Sequence, residues 1–355
     1  MHAALRSLVL FAALAGAAVA HDADLTRLPL GDGKISTAPQ AGWIWACRVD
    51  PNGGGAQRNG PWIKADGTYD FTAKAVVPGD VHWPSRYTMR LEGARRIFSL
   101  NDLPSHGTGV FPIPPDSEAY RYDRNPNRIA AQSFDVTLPA EPVLATAPSC
   151  APGAVGILLS GAVLFNALDA PGRDAVAHET QDMCQGHPQE SGVYHYHSIS
   201  TCIGDKRLPD GHSALVGYAL DGFGIYGRYG EGGKLLASAD LDACHGHSHS
   251  IEWNGKRVVM YHYHATWDFP YTIGCLRGAY TFANVMAISG APPRGRMGGG
   301  GPPGGRPDLD KAASKLHITT EQLRAALGPP PPDLAASAQR LGISEQELRA
   351  ALGVP

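Results

Sequence analysis

The chain has 355 residues, with 30 Lys and Arg against 33 Asp and Glu and a formal charge of −3. A near-neutral, well-mixed charge pattern gives no electrostatic reason to bind nucleic acid or an anionic membrane. Hydrophobic residues make up 43% of it, enough to build a full core as one large domain or two small ones.

Residues 1–20, MHAALRSLVLFAALAGAAVA, carry one arginine, an apolar run and a small-residue end at Ala-Val-Ala. This reads as a secretory signal with cleavage after Ala20. The apolar run from Leu8 to Ala20 is shorter than the ~20 residues a bilayer span needs. No later segment is apolar enough to cross, so the reading is a secreted or periplasmic protein without a membrane span. Residues 21–96 read as a β-rich extension and 97–290 as a central domain. Short apolar runs separated by turn signals, such as SFDVTL (133–138), VGILLSGAVLF (155–165), ALVGYAL (214–220) and KRVVMYHYHAT (256–266), predict strands. The fold class expected is therefore mainly β.

The six cysteines, Cys47, Cys150, Cys184, Cys202, Cys244 and Cys275, are an even set in an oxidising compartment, where disulfides are the default. Many pairings are open to six cysteines, and sequence does not choose among them. The expectation is Cys184–Cys202 and Cys244–Cys275, with Cys47–Cys150 left over.

Residues 291–307, APPRGRMGGGGPPGGRP, predict a disordered Pro/Gly linker. After it, 308–328 and 333–353 repeat with a 25-residue period, each copy reading as helix, turn, helix. Thr319 with Gln322 and Ser344 with Glu347 form capping boxes at the second helix of each copy. An exported, charge-balanced tail argues against DNA, so the repeats within 308–355 are expected to offer a surface to a protein partner.

The chemistry is concentrated in histidine. Ten of the 15 histidines fall between His178 and His264, and Tyr-His-Tyr-His occurs twice, at 194–197 and 261–264. On a strand, residues i and i+2 share a face. His195 and His197 therefore face away from Tyr194 and Tyr196, as do His262 and His264 from Tyr261 and Tyr263. If the two strands are neighbours, four imidazoles converge on one patch. His195, His197 and His262 would then hold one metal ion together, with the tyrosines anchoring an apolar layer. His187, in CQGHP, and the HGHSH run at 245–249 lie just upstream of the two tetrads. An imidazole-rich site without thiolates suits copper or zinc. Three histidines would leave a position for water or substrate, whereas His264 as a fourth ligand would close the site. Asp221 is the carboxylate most readily placed nearby, with bonding of its own turn as the plainer role.

GHPQESGVYHYH, GYALDGFGIYG (217–227), YHYHATWDFPYTIGCLRG (261–278), LPSHGTGVFP (103–112) and NPNRIAAQ (125–132) resemble the YHYH-domain family of exported proteins over roughly 97–285. That resemblance implies the domain boundary more than a reaction, and supports His264 less than His195, His197 and His262. The functional expectation is metal binding through His187, His195, His197, His262 and His264. A copper or zinc metalloenzyme acting on an extracellular substrate is the first alternative, and a structural or adhesive module the second.

Overall fold

A computed structural model describes residues 23–50, 53–289, 309–316, 318–327 and 334–352. The expected signal at 1–20 and linker at 291–307 lie outside the described residues. The chain divides into two compact units at residues 293/294.

The first unit is built on a mixed eight-stranded sheet. Its strands in chain order are β1 (Ala154–Leu158), β2 (Val163–Phe165), β3 (Gly186–Pro188), β4 (Tyr194–Tyr196), β5 (Leu215–Ala219), β6 (Gly224–Tyr226), β7 (Gly246–Trp253) and β8 (Lys256–His264). Across the sheet the order is β3-β4-β2-β1-β5-β6-β8-β7. The order hides a duplication. β1–β2 is antiparallel, β2–β4 parallel and β4–β3 antiparallel. β5–β6, β6–β8 and β8–β7 repeat the same three relations. The halves join through the antiparallel β1–β5 pair.

Register repeats with topology. His187 pairs with His195 and Gly186 with Tyr196, as His247 pairs with His262 and Gly246 with Tyr263. DMCQGH (182–187) thus matches DACHGH (242–247). Gln185 and His245, one residue before each glycine, both adopt positive φ, 58° and 75°. At Gly186 and Gly246 a Cβ would collide with the rings of Tyr194 and Tyr261, so each tetrad's first tyrosine occupies space that only glycine leaves open.

The two sheet faces have different coverings. Tyr194, Tyr196, Tyr261 and Tyr263 are buried in one core with Leu164, Ile225, Phe269 and Tyr271. Leu28, Ile44, Trp62 and Tyr69, from the N-terminal stretch, belong to that same core. The indole of Trp62 also donates to the Ala177 carbonyl at 2.8 Å. Ala154, Val163, Tyr218 and Tyr226 belong to a second core with Phe98, Phe134, Val136 and Leu138. These last four lie on an antiparallel three-stranded sheet of Tyr87–Glu92, Arg95–Leu100 and Phe134–Pro139. The helix Phe282–Ile288, with Thr281 as its N-cap, adds Val285 and Ile288 to this core.

Cys47–Cys150, Cys184–Cys202 and Cys244–Cys275 are bridged. Cys184 and Cys244 occupy equivalent places in the two halves, so two of the bridges each tie down one copy of the turn before β3 or β7.

The second unit contains helices Leu309–Lys315, Thr320–Leu327, Leu334–Leu341 and Glu345–Leu352. Leu323, Leu348 and Leu352 are buried, with Leu309, Leu316, Ile318, Leu327, Leu334, Leu341 and Ile343 packed against them. Both capping boxes form. Thr319 N–H donates to Gln322 and Gln322 N–H to Thr319 Oγ1, at 2.8 and 3.1 Å. Ser344 and Glu347 exchange equivalent bonds at 2.8 and 3.2 Å. Among the described residues no helix is long and apolar enough to cross a membrane.

Replacing Cys184 and Cys202 together by serine opens an 18-residue separation and is expected to lower stability by ~3 kcal/mol. Urea denaturation of the oxidised parent and the double variant checks it; a loss under ~1 kcal/mol would mean the turn before β3 is held by its hydrogen bonds alone.

Candidate metal centres

The alternation expected of the tetrads holds, but their juxtaposition does not. β4 and β8 are separated by β2, β1, β5 and β6, about 24 Å at ~4.8 Å per strand step. His195 and His197 therefore do not share a patch with His262 and His264, and a single ion bound by His195, His197 and His262 is excluded. Instead, each tetrad builds its own cluster on the same sheet face. His195 pairs with Val163 and His264 with Tyr226, both residues of the second core.

The first cluster is His187, His195 and His197, all buried, with ligand atoms within 4.8 Å of one another. His187 faces His195 directly across β3–β4. Glu179 joins them. Its Oε2 lies 3.4 Å from His187 Nε2 and 3.3 Å from His197 Nε2, and it follows the short helix Ala175–His178 as that helix's C-cap residue. The second cluster holds five imidazoles, His212, His247, His249, His262 and His264, within the same span. His247 lies opposite His262, and His249 is two residues along β7 on the same face.

The backbone fixes how these rings point. His195 Nδ1 bonds the Val193 carbonyl at 3.2 Å, and His197 Nδ1 the Asn166 carbonyl at 2.5 Å. In the second half His262 bonds Met260 O at 3.0 Å, and His264 bonds Gly227 O at 2.6 Å. His212 and His249 bond Ser213 O and Ser250 O at 2.7 and 3.0 Å. A carbonyl only accepts, so each Nδ1 carries the hydrogen, and each neutral ring turns a bare Nε2 lone pair toward the others.

Those lone pairs lack hydrogen donors. His187 Nε2, His247 Nε2, His249 Nε2, His262 Nε2 and Glu179 Oε2 are buried without a hydrogen-bond partner. His195 Nε2 and His197 Nε2 face each other at 3.2 Å, and His212 Nε2 and His264 Nε2 at 3.1 Å. Two ligands ~2.05 Å from one ion at a tetrahedral angle stand ~3.3 Å apart. Protonation is the other way to reconcile facing nitrogens, and the surroundings oppose it. Burial first, then the neighbouring His195 and His197, holds the His187 pKa well below the ordinary histidine value; burial and then His197 do the same to His195. Burial and then His262 hold His264 well below it, and burial brings His247 down to about 4. Both donor sets fit a cation: converging lone pairs, unmet by hydrogens, in rings kept neutral.

Tyrosine does the anchoring from the opposite face. Tyr194 OH donates to the Asp182 carboxylate at 2.9 Å, and Tyr261 OH to Asp242 Oδ1 at 3.0 Å. Asp182 Oδ1 also accepts from Cys184 and Gly186 N–H, as Asp242 Oδ1 accepts from Cys244 and Gly246 N–H. The turn carrying His187 or His247 is thus fixed to its tetrad strand. Asp221 has the plainer of its two expected roles. It accepts from Tyr263 OH at 2.6 Å, Gly278 N–H at 2.9 Å and Phe223 N–H at 3.2 Å, and belongs to neither cluster.

Residues 135–234 match the family model described as YHYH protein. The match takes in the first tetrad and the central strands β1, β2, β5 and β6, and stops before the second tetrad. It is narrower than the resemblance read from the sequence motifs. Compared with curated proteins and with solved structures, the chain matches none.

Four cluster members were not singled out as ligands from the sequence. His247 and His249 lie in the conspicuous HGHSH run, and aligning DMCQGH with DACHGH would have placed His247 with His187. Their neighbour His245 does not join them; it bonds Thr266 Oγ1 at 3.0 Å. His212, in a PDGHSA loop, and Glu179 carry no local signal; only the fold brings them in. A third grouping of such side chains among the described residues, His106 with Cys184 and Cys202, offers no thiolate because the two sulfurs are bonded to each other.

Two outcomes follow. Tyr263→Phe removes the hydroxyl from a buried Asp221 carboxylate and should cost ~1–3 kcal/mol in urea unfolding while leaving metal stoichiometry intact; loss of metal would mean that the tyrosine face bears on the site. His187, His195, His212, His247, His262 and His264 have folded pKa values below the unfolded value of ~6.5, chiefly through burial, so the unfolded chain takes up protons first as pH falls. Stability should be full above pH ~6.5 and fall from there toward pH ~4, by up to ~1.4 kcal/mol per pH unit for each histidine kept neutral. Denaturant titrations of the metal-free protein at pH 7.5, 6 and 5 measure the slope; a flat profile would show the folded rings taking up protons over the same range as the unfolded chain.

Proposed function

We propose that this is an exported metal-binding protein with two histidine centres, each built from one Tyr-His-Tyr-His strand and the strand paired with it. The observation that carries the reading is the set of Nδ1–carbonyl bonds at His195, His197, His212, His249, His262 and His264, which leaves the Nε2 lone pairs of those rings turned into their clusters with no donors. Copper or zinc is the ion the donors favour, since borderline metals take imidazole readily and no thiolate is present. His187, His195 and His197, with Glu179, would hold one ion. His262 and His264, with His212, His247 and His249, would hold the other. Export is supported by the leader-like residues 1–20 and by three disulfides. The helical repeats are read as a small docking module for a protein partner.

A metalloenzyme is the second reading, and one observation favours it. The first cluster lies in the wall of a cleft of about 750 Å³ lined also by Phe165, Asp123, Asn125 and Asn127, a size suited to a small molecule.

Protein purified without a histidine tag should carry close to two ions per chain by elemental analysis. His195→Ala should remove one and leave the other, and His262→Ala the reverse. Full stoichiometry in both variants would make the clusters structural features without metal.

A further inference from the structure

The duplicated halves differ most in what surrounds the shared histidines. In the first half the position of His187 in β3 is followed by Pro188 and Gln189, where the second half has Ser248 and the ligand-forming His249. His212 likewise serves only the second cluster. The first cluster has Glu179 instead, whose Oε2 is buried and without a hydrogen-bond partner. One centre is therefore three imidazoles and a carboxylate, and the other five imidazoles.

The three-histidine centre also lines the cleft of about 750 Å³. Five carboxylates line that cleft, Asp50, Asp123, Asp169, Glu179 and Glu190, against the single cation Arg48. Arg48 is itself 3.8 Å from Asp50. With Asp169 paired to Arg173 at 2.7 Å as well, Asp123, Glu179 and Glu190 carry the wall's excess negative charge, which favours neutral or cationic polar molecules over carboxylates and phosphates.

We propose that the two centres have divided their work: the first is an exchange centre, at which a small polar, non-anionic ligand from the cleft reaches the ion, and the second is saturated by protein and retains its ion. This rests on the metal-binding reading above. Five imidazoles exceed the four protein ligands that close a structural site; the first centre reaches four only with Glu179, whose Oε2 stands 3.3–3.4 Å from two of the ring nitrogens, so a ligand entering from the cleft takes the carboxylate's place or a position beside it. Glu179, from outside the tetrad and its paired strand, gives the first centre a net negative donor set and favours a divalent ion there. In the second centre every donor is neutral.

The test uses two variants of the full chain, each keeping one centre: His249→Ala/His262→Ala for the first, and His187→Ala/His195→Ala for the second. Each is loaded with Cu(II), its copper content is measured, and pulsed EPR is recorded in ordinary water with glycerol deuterated on carbon as the neutral polar probe. Deuteron modulation is expected from the first-centre variant and not from the second. A competing chelator should remove copper from the first centre at least tenfold faster. Equal modulation and equal release from two loaded variants would overturn the division while leaving metal binding in place, and the reverse pattern would overturn it too. Copper held by neither folded variant would remove the metal-binding reading, and the proposal with it. If a double variant does not fold, the parent protein loaded with two copper ions decides: biphasic release, with glycerol modulation confined to the faster-leaving ion, supports the division, and single-phase release overturns it.

Discussion

A histidine that donates Nδ1–H to a backbone carbonyl has one orientation and one tautomer, and the two centres depend on that constraint. His195, His197, His262 and His264 each make such a bond. The acceptors are carbonyls of the chain itself, so the orientation is inherited from the sheet and does not wait for an ion. What remains is a group of Nε2 lone pairs that repel one another unless something positive lies between them. The sheet must hold that arrangement against its own repulsion, and the tyrosine face is how it does so. Each tetrad tyrosine is buried and spends its hydroxyl on a fixed polar partner: Asp182, Asp242 and Asp221 for three of them, Ser160 and His106 for Tyr196. Alternation along one strand therefore separates two tasks, gathering histidine nitrogens on one face and anchoring on the other.

Duplication explains why the anchoring is so regular and the histidine clusters so unequal. Strand relations, register, the Asp-capped turn, the following glycine and the disulfide are common to both halves. These fix the backbone, and a change in any of them would disturb strand pairing or bury an unpaired group. The outer donors, Glu179 in one half and His212 with His249 in the other, have no counterpart in the opposite half. The family match follows the same division: it covers the first tetrad and the central strands, while the second tetrad belongs to the pattern through internal repetition.

Much of this could be read from the chain. Apolar runs such as SFDVTL and VGILLSGAVLF lie on observed strands, because a half-buried strand must alternate and a fully buried one must be apolar. The helical repeats declared themselves through period and caps. The tetrads' two faces were legible for the same reason as the strands: period two is local. Strand adjacency is not local. Nothing in Tyr-His-Tyr-His says that four strands come between its two copies, or that each copy instead meets the histidine of its antiparallel partner. His212 and Glu179 reach their clusters from loops and a helix end, where no periodicity marks a ligand. Asp221 shows the opposite error of proximity: it is tied to a tetrad strand, but to the tyrosine face of it.

The strand order has a final consequence for energetics. The pairing of β1 with β5 puts the relation between the halves at the sheet's centre and each tetrad second from an opposite edge. Centres about 24 Å apart share no ligand, and side chains of the second core lie on the face between them. At that separation perturbations usually add. A ligand lost from one centre should therefore leave the affinity of the other unchanged, whereas two ligands lost within one centre should cost far less than the sum of the single losses. Two His-to-Ala changes in different clusters and two in the same cluster, measured as a pair of double-mutant cycles on metal affinity, would separate these cases. Coupling across the sheet would require the central β1–β5 pair to move when an ion binds, and its residues Val155, Ile157 and Ala219 are all fully buried, packed into the two cores on either face.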